Sequence, residues 1–132
     1  MNFLPSTSQL AVAIAATHLF SKEKKQFWTV PPGLGKSRVI GTILAIMHDK
    51  HSTLGDIHIV FPTEILYKTD EAIFKSLSHF FDRDIHLYVG MDDLKMSEND
   101  LLILDEADYT LLDERSALPS NLFGVIAVSA TH

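Results

Sequence analysis

The sequence predicts an α/β domain with a mostly parallel sheet of about five strands and helices on both faces. Short runs rich in β-branched and aromatic residues alternate with longer segments of helical apolar spacing along the chain. Strands that alternate with helices need crossover connections, and these connections make the strands parallel. Because the chain has 132 residues and no repeat or linker-like tract, residues 1–132 are expected to form one domain.

In the first half of the chain, two helical patterns alternate with two strand patterns. Ser6 or Ser8 is expected to cap the first helix, and prolines follow both strands. A polar segment separates the first helix from the first strand, and a glycine-rich turn separates that strand from the second helix. The expected elements are a helix to about residue 20, a strand at 26–30, a helix at 36–50 and a strand at Ile57–Phe61.

The second half contains one long helical pattern and three strand patterns. The third strand is followed by a polar loop rich in acids. The fourth is an uninterrupted apolar run, which is typical of a central strand buried on both faces. The expected elements are a helix at Glu64–Phe81, strands at Ile85–Val89 and 101–104, a short helix at 107–112 and a strand at 125–128.

A glycine-rich loop joins the first strand to the second helix, with the sequence Val30-Pro31-Pro32-Gly33-Leu34-Gly35-Lys36-Ser37. Glycines let successive backbone N–H groups point at phosphate oxygens, and the helix N-terminus adds its dipole. Lys36 is expected to neutralise the β- and γ-phosphates, and the Ser37 hydroxyl is expected to bind Mg²⁺. Val30 stands where the standard motif has glycine. The alternative interpretation is a glycine-rich turn before an amphipathic helix.

Two adjacent acids, Asp105 and Glu106, follow the most apolar strand pattern. Because carboxylates at the end of a buried strand must be solvated or paired, they indicate a cation site. Beside bound phosphates, Asp105 is expected to hold Mg²⁺, and Glu106 to orient and activate the attacking water. Both motifs fall at the carboxyl ends of strands, where parallel sheets bind ligands. The alternative is that both acids only begin a surface helix.

These motifs resemble the first RecA-like domain of superfamily 2 helicases, especially DEAD-box-like ones. Asp105-Glu106-Ala107-Asp108 reproduces the tetrapeptide that names the family, and Ser129-Ala130-Thr131 matches its coupling motif. Phe61-Pro62-Thr63 is similar to the family's nucleic-acid backbone motif, and Pro5-Ser6-Thr7-Ser8-Gln9 to the segment whose glutamine reads adenine. Pro32-Gly33-Leu34-Gly35-Lys36-Ser37-Arg38 also resembles the phosphate loop of flavivirus-type viral helicases.

The resemblance implies an ATP hydrolase that couples turnover to single-stranded RNA or DNA in the complete protein. ATP and Mg²⁺ are the implied cofactors. Pro62 and Thr63 are implied to contact nucleic acid, and Asp108, Ser129 and Thr131 to couple it to the nucleotide. The implied nucleotide-binding residues are Gln9 for adenine and Pro32, Gly33, Leu34, Gly35, Lys36, Ser37 and Arg38 for the phosphates.

Helicases of this family close ATP between two RecA-like domains, and the second domain contributes an arginine finger. The chain has no room for that domain, so a second RecA-like domain or a partner chain is expected to complete the site. Because an arginine finger contributes ~10³–10⁵ in rate, the chain alone is expected to bind nucleotide weakly and hydrolyse it slowly.

Departures from the family pattern leave a second function open. Glu64 stands where DEAD-box proteins usually carry arginine, and residues 89–100 contain no element like Thr-Pro-Gly-Arg. The net charge of −6 argues against a broadly basic nucleic-acid surface. The alternative function is a nucleotide-dependent protein-interaction module or switch that unwinds nothing. A third is another phosphate-loop ATPase with the same two motifs.

Composition and segment length limit the kinds of bond, metal site and membrane segment that the chain can form. The absence of cysteine excludes disulfides and thiolate metal sites. The apolar run at 10–20 is too short to span a bilayer, so we expect a soluble intracellular protein, cytoplasmic or nuclear, with no membrane partner. His48 and His51, with His58 further on, lack the cysteines or carboxylates that would complete a metal site, so none is expected there.

Overall fold

The structure is a computed structural model that describes residues 7, 9–11, 13–14, 25–29, 36–50, 53–90, 93–105 and 122–129. The described residues between 7 and 14 are helical. Along the chain follow strand β1 (Lys25–Thr29), helix α1 (Lys36–Lys50), strand β2 (Ile57–Phe61), helix α2 (Glu64–Phe81), and strands β3 (Ile85–Val89), β4 (Leu101–Asp105) and β5 (Gly124–Ser129). No helix in these ranges is long and apolar enough to cross a membrane.

The strands form one sheet in the order β1-β5-β4-β2-β3, and every neighbouring pair is parallel. Strand β4 lies at the centre of the sheet, and all of its residues are buried. Its uninterrupted apolar sequence predicts this position, because a central strand is covered on both faces. The prediction of an α/β fold with a parallel sheet is therefore confirmed.

One face of the sheet carries the larger apolar core and both long helices. Alternate strand residues point to this face, where they meet the apolar stripe of α1 and part of α2. Each fully buried aliphatic or aromatic side chain contributes roughly 1.5–3 kcal/mol to folding. The buried residues are Ile57, Ile59 and Phe61 of β2, Leu101 and Ile103 of β4, Ile126 and Val128 of β5, Val39, Ile40, Ile43, Leu44 and Met47 of α1, and Phe74 and Leu77 of α2.

The opposite face of the sheet carries a smaller apolar cluster. Val60, Leu102, Leu104, Val125 and Ala127 are buried there, and the partly buried Tyr88, Leu94, Met96 and Leu122 pack against them. Leu94 and Met96 belong to the segment between β3 and β4. The predicted helix at 107–112 lies outside the described residues, so a helix on this second face stays a prediction.

Local signals define both ends of α2. The Thr63 side chain accepts a hydrogen bond from the Leu66 N–H (3.3 Å) and caps the N-terminus, where Glu64 complements the helix dipole. Asp82 ends the helix in the left-handed conformation (φ 51°, ψ 45°), with its N–H directed to the carbonyls of Ser78 and His79. The predicted bounds Glu64–Phe81 are therefore confirmed.

Gly55 lies where the chain before β2 passes the start of β4. Its N–H donates to the Asn99 carbonyl (2.9 Å), and an added Cβ would lie 2.5 Å from Oδ1 of the buried Asp100. Gly55→Ala is expected to displace this carboxylate and lower the free energy of unfolding by about 1–3 kcal/mol, measured by urea denaturation. Gly90→Ala is a useful comparison, because Gly90 combines a positive φ of 73° with open space and reports backbone strain alone. Equal stability of Gly55→Ala and the parent would contradict this account.

Candidate nucleotide site

The structure brings together the two sequence motifs to which we assigned phosphate and magnesium binding. Lys36 is the first residue of α1, and Asp105 is the last residue of β4. The Lys36 Nζ atom lies 2.6 Å from Oδ1 of Asp105. Both side chains are largely withdrawn from solvent, with 14% of Lys36 and 1% of Asp105 exposed. The two residues therefore lie in contact near the carboxyl end of β4.

The strand order explains how residues so distant in sequence meet. Strand β5 pairs with β1 on one side and β4 on the other, with Thr29 beside Ser129 and Asp105 beside Val128. The carboxyl ends of β1 and β4 therefore lie at the same edge of the sheet, about 9.5 Å apart across two strand spacings. Helix α1 follows β1 along the chain, and the long Lys36 side chain reaches Asp105 from the start of this helix.

Burial makes the carboxylate of Asp105 dependent on a nearby cation. An ionised acid withdrawn from water is unfavourable unless it is paired, and an ion pair with one partner removed is strongly destabilised. The ammonium group of Lys36 provides this positive charge. A carboxylate at this position also suits Mg²⁺, which prefers oxygen ligands and tight charge compensation. The half-buried Ser37, next in α1, adds a hydroxyl group to the same region.

Pro62 and Thr63, to which we assigned a nucleic-acid contact, follow β2 at the same edge of the sheet. Both are exposed, but the Thr63 hydroxyl oxygen accepts the capping hydrogen bond from Leu66. The next residue, Glu64, is 70% exposed and lies 3.4 Å from Nζ of Lys68. Glu64 and Lys68 therefore form a surface ion pair at the start of α2, rather than a cationic group that would bind phosphate.

The remaining predicted site residues are described only in part. Gln9 is buried, with 7% of the residue exposed, and Arg38 is exposed in the first turn of α1. Ser129 ends β5, which brings its backbone to the same edge as Lys36 and Asp105. Their roles in nucleotide binding stay predictions. The predicted residues Pro32, Gly33, Leu34, Gly35, Glu106, Asp108 and Thr131 lie outside the described residues.

A polar network that the motif search missed lies at the opposite, amino edge of the sheet. His58, in the buried strand β2, places Nε2 2.8 Å from Oδ2 of Asp100 and Nδ1 2.8 Å from the Tyr88 hydroxyl. Asp100 also accepts hydrogen bonds from the N–H groups of Asp56 and Ser97, both at 2.9 Å. The sequence places an aspartate directly before each of β2, β3 and β4, but only the pairing of these strands shows that the aspartates lie at one edge of the sheet.

The environment of Tyr88 indicates how protons are arranged in this network. Burial raises the pKa of Tyr88, and the nearby Asp100 and Asp56 carboxylates raise that pKa further. The phenol therefore stays protonated, with its hydroxyl oxygen 2.8 Å from Nδ1 of His58, whose Nε2 lies 2.8 Å from Oδ2 of Asp100. His48 is engaged elsewhere, since its Nδ1 accepts from Nε of Arg83 at 3.2 Å. His48 and His58 thus contact different groups, and His51 lies outside the described residues.

Comparisons with known proteins identify the fold but no family. No protein-family model matches the chain, and no curated protein matches it significantly. Among solved structures, the crystal structure of the HK97 bacteriophage large terminase is similar, with a TM-score of 0.55 and 12% sequence identity. The match covers 96% of this chain and 33% of the terminase chain. The chain therefore shares its α/β fold with a protein of which it spans about a third.

Proposed function

We propose that the chain is a RecA-like, phosphate-loop ATP-binding domain of a helicase- or translocase-type motor. The observation that carries this proposal is the buried contact between Lys36 and Asp105 at the carboxyl edge of a parallel sheet. A lysine at the start of a helix after a glycine-rich loop suits phosphate oxygens. An acid at the end of the central strand suits the magnesium ion that accompanies those phosphates.

Each residue of the site has a specific role in this proposal. Backbone N–H groups of 33–37 and the Lys36 ammonium group hold the phosphates, and Gln9 contacts adenine. The Ser37 hydroxyl and the Asp105 carboxylate hold Mg²⁺, and Glu106 orients and activates the attacking water. Bound Mg²⁺ neutralises phosphate charge.

The proposal extends to nucleic acid through the carboxyl edge of the sheet. Pro62 and Thr63 contact the backbone of a single strand, while Asp108, Ser129 and Thr131 couple that contact to the nucleotide. The exposed position of Pro62 and Thr63, beside the strand that neighbours β4, supports this assignment. A second RecA-like domain or a partner chain supplies the arginine finger. The likeness to one third of a phage large terminase supports a domain that works as part of a larger assembly.

ATP turnover by the purified chain, measured with and without single-stranded RNA and DNA, tests the proposal. Lys36→Ala is expected to abolish nucleotide binding, and Glu106→Gln to abolish turnover while leaving binding intact. Lys68→Ala is the matched control, because Lys68 is 71% exposed on α2 and distant in sequence from both motifs. If the parent chain does not bind nucleotide, or if Lys36→Ala binds it as tightly as the parent, the proposed nucleotide site is refuted.

The second candidate function is a nucleotide-dependent interaction module that binds a protein partner and unwinds nothing. The exposed Glu64 at the start of α2, the use of the Thr63 hydroxyl as a helix cap and the net charge of −6 favour it. Phosphate contacts release counterions, so association with nucleic acid must weaken steeply as salt rises. A chain that binds ATP but shows no salt-sensitive association with single strands would support the interaction module over the motor.

A further inference from the structure

Two carboxylates and one imidazole, all potential metal ligands, converge at the amino edge of the sheet, opposite the nucleotide site. Asp56, Asp84 and His86 each offer a ligand atom, and these atoms all lie within 4.8 Å of one another. Asp56 and His86 are about half exposed, at 50% and 41% of their side chains, and Asp84 is exposed. The group is therefore open to ions from solvent.

Strand pairing places these side chains together. Ile57 of β2 pairs with Ile85 of β3 in parallel register, so the preceding residues Asp56 and Asp84 enter adjacent strands side by side. His86 lies two residues after Asp84 and therefore points to the same side of the sheet. The arrangement depends on the backbone of two hydrogen-bonded strands, which makes it more rigid than a cluster on a loop.

The charge of the cluster is not balanced by lysine or arginine within the described ranges. Asp56 places Oδ2 3.1 Å from Nε2 of His86, and Asp84 forms no ion pair there. The neighbouring Arg83 directs its guanidinium group away, to the carbonyl oxygens of Leu54 and Gly55. Two carboxylates and an imidazole are thus left facing one another, which is a favourable setting for a divalent cation.

A buried support holds the imidazole of His86 in place. Its ring stacks on His58, with ring centroids 4.8 Å apart and an interplanar angle of 20°. His58 is itself held by Asp100 and Tyr88, through hydrogen bonds of 2.8 Å at each ring nitrogen. Fixed orientation of a ligating histidine strengthens metal binding, because less conformational freedom is lost when the ion binds.

We propose that Asp56, Asp84 and His86 bind a divalent transition-metal ion, with Zn²⁺ as the reference ligand. Zinc accepts carboxylate oxygen and imidazole nitrogen at about 2.0–2.2 Å, which places neighbouring ligand atoms of a tetrahedral site about 3.3 Å apart. The 3.1 Å contact between Asp56 and His86 already matches that spacing. Asp84 completes the set by a small side-chain rotation, and the exposed side of the cluster leaves a fourth position for water.

The imidazole distinguishes this site from an ordinary magnesium or calcium site. Mg²⁺ and Ca²⁺ favour oxygen ligands, whereas imidazole favours zinc and its neighbours in the first transition series. The site shares no residue with the nucleotide site, so it does not depend on the proposed motor function.

Calorimetric titration of the metal-free chain with Zn²⁺ tests the proposal. One equivalent is expected to bind, and His86→Asn and Asp84→Asn are each expected to weaken binding at least about tenfold. Imidazole nitrogen NMR spectra should show that zinc shifts the Nε2 resonance of His86 in the parent chain. Asp84→Asn is the safer variant for folding, because Asp84 is exposed and only its backbone carbonyl forms a described hydrogen bond.

Matched variants separate this site from other zinc-binding groups. His79→Asn and Asp82→Asn remove an exposed histidine and an exposed aspartate at the end of α2, and both should bind zinc like the parent. Nucleotide affinity of Asp84→Asn and His86→Asn should equal that of the parent, which distinguishes a failure of this site from a failure of the nucleotide site. No zinc binding by the parent, or equal binding by the parent, His86→Asn and Asp84→Asn, would overturn the proposal.

Discussion

Asp105→Asn is expected to remove most of the dependence of nucleotide binding on Mg²⁺. Lys36 compensates the carboxylate of Asp105 at 2.6 Å, with only 1% of the Asp105 side chain exposed. When Lys36 turns to the phosphates, that carboxylate loses this ammonium charge unless Mg²⁺ replaces it. Removing one charge of a buried ion pair costs about 3–5 kcal/mol, which corresponds to roughly 100–4,000-fold in affinity.

The predicted change is in the ratio of the nucleotide affinities measured with Mg²⁺ and with a chelator. This ratio reports specifically whether Mg²⁺ takes the place of Lys36 beside Asp105. Nucleotide affinity of the parent chain should differ by at least about 100-fold between Mg²⁺ and a chelator, whereas Asp105→Asn should reduce this ratio to within about tenfold. In the chelator, the variant should bind nucleotide more tightly than the parent. Fluorescence titration with a labelled nucleotide measures both affinities.

Asp93→Asn is the control for this experiment, because it removes an exposed negative charge from the segment before β4. It should leave the ratio of affinities unchanged. If Asp105→Asn remains folded but loses nucleotide affinity equally with and without Mg²⁺, then Mg²⁺ does not replace Lys36 beside Asp105. Thermal unfolding of each variant verifies that the comparison is made between folded proteins.

Asp100→Ala is expected to cause the largest loss of stability of any single substitution in the polar network. Asp100 is 5% exposed and accepts hydrogen bonds from the Asp56 and Ser97 N–H groups while it pairs with His58. Its removal leaves two backbone donors and a buried imidazole without their acceptor. We expect a loss of about 3–5 kcal/mol in the free energy of unfolding, measured by urea denaturation.

Asp100→Asn provides a graded version of the same test. Asparagine keeps an acceptor for the Asp56 N–H, but the NH₂ group in place of Oδ2 can accept from neither Ser97 nor His58. Its stability should fall between those of the parent and Asp100→Ala, and Asp93→Asn should stay within about 0.5 kcal/mol of the parent. Nucleotide affinity of the folded Asp100→Asn chain should not change, because the network lies at the opposite edge from Lys36. A loss below about 1 kcal/mol for Asp100→Ala would show that the network contributes little to folding.

The local elements were predictable because their signals lie within a few residues of one another. Apolar spacing defined α1 and α2, and short apolar or β-branched runs ending at proline, glycine or aspartate defined β2, β3 and β4. The phosphate-loop and acidic motifs could also be assigned roles, since each combines a turn or strand end with the residue types that phosphate and magnesium require. None of these signals depends on which strands are neighbours.

The amino-edge residues were not predictable in the same way. Asp56, Asp84 and Asp100 each precede a strand, but only the order β4-β2-β3 and the parallel register bring them together. His58 likewise has no distinguishing spacing in the sequence. Its significance comes from burial beside Asp100 and Tyr88, which belong to two other strands or their flanking segments.

The alternation of strands and helices and the parallel α/β fold could be predicted from the sequence, which also placed Lys36 and Asp105 in two motifs that suit phosphate and magnesium. Periodicity and residue chemistry are local properties, so these predictions follow from short stretches of the chain. Three features appear only in the folded chain: β5 lies between β1 and β4, Lys36 neutralises Asp105, and Asp56, Asp84 and His86 converge. Strand order and register join residues far apart in the chain, and no local pattern specifies which of those residues will meet.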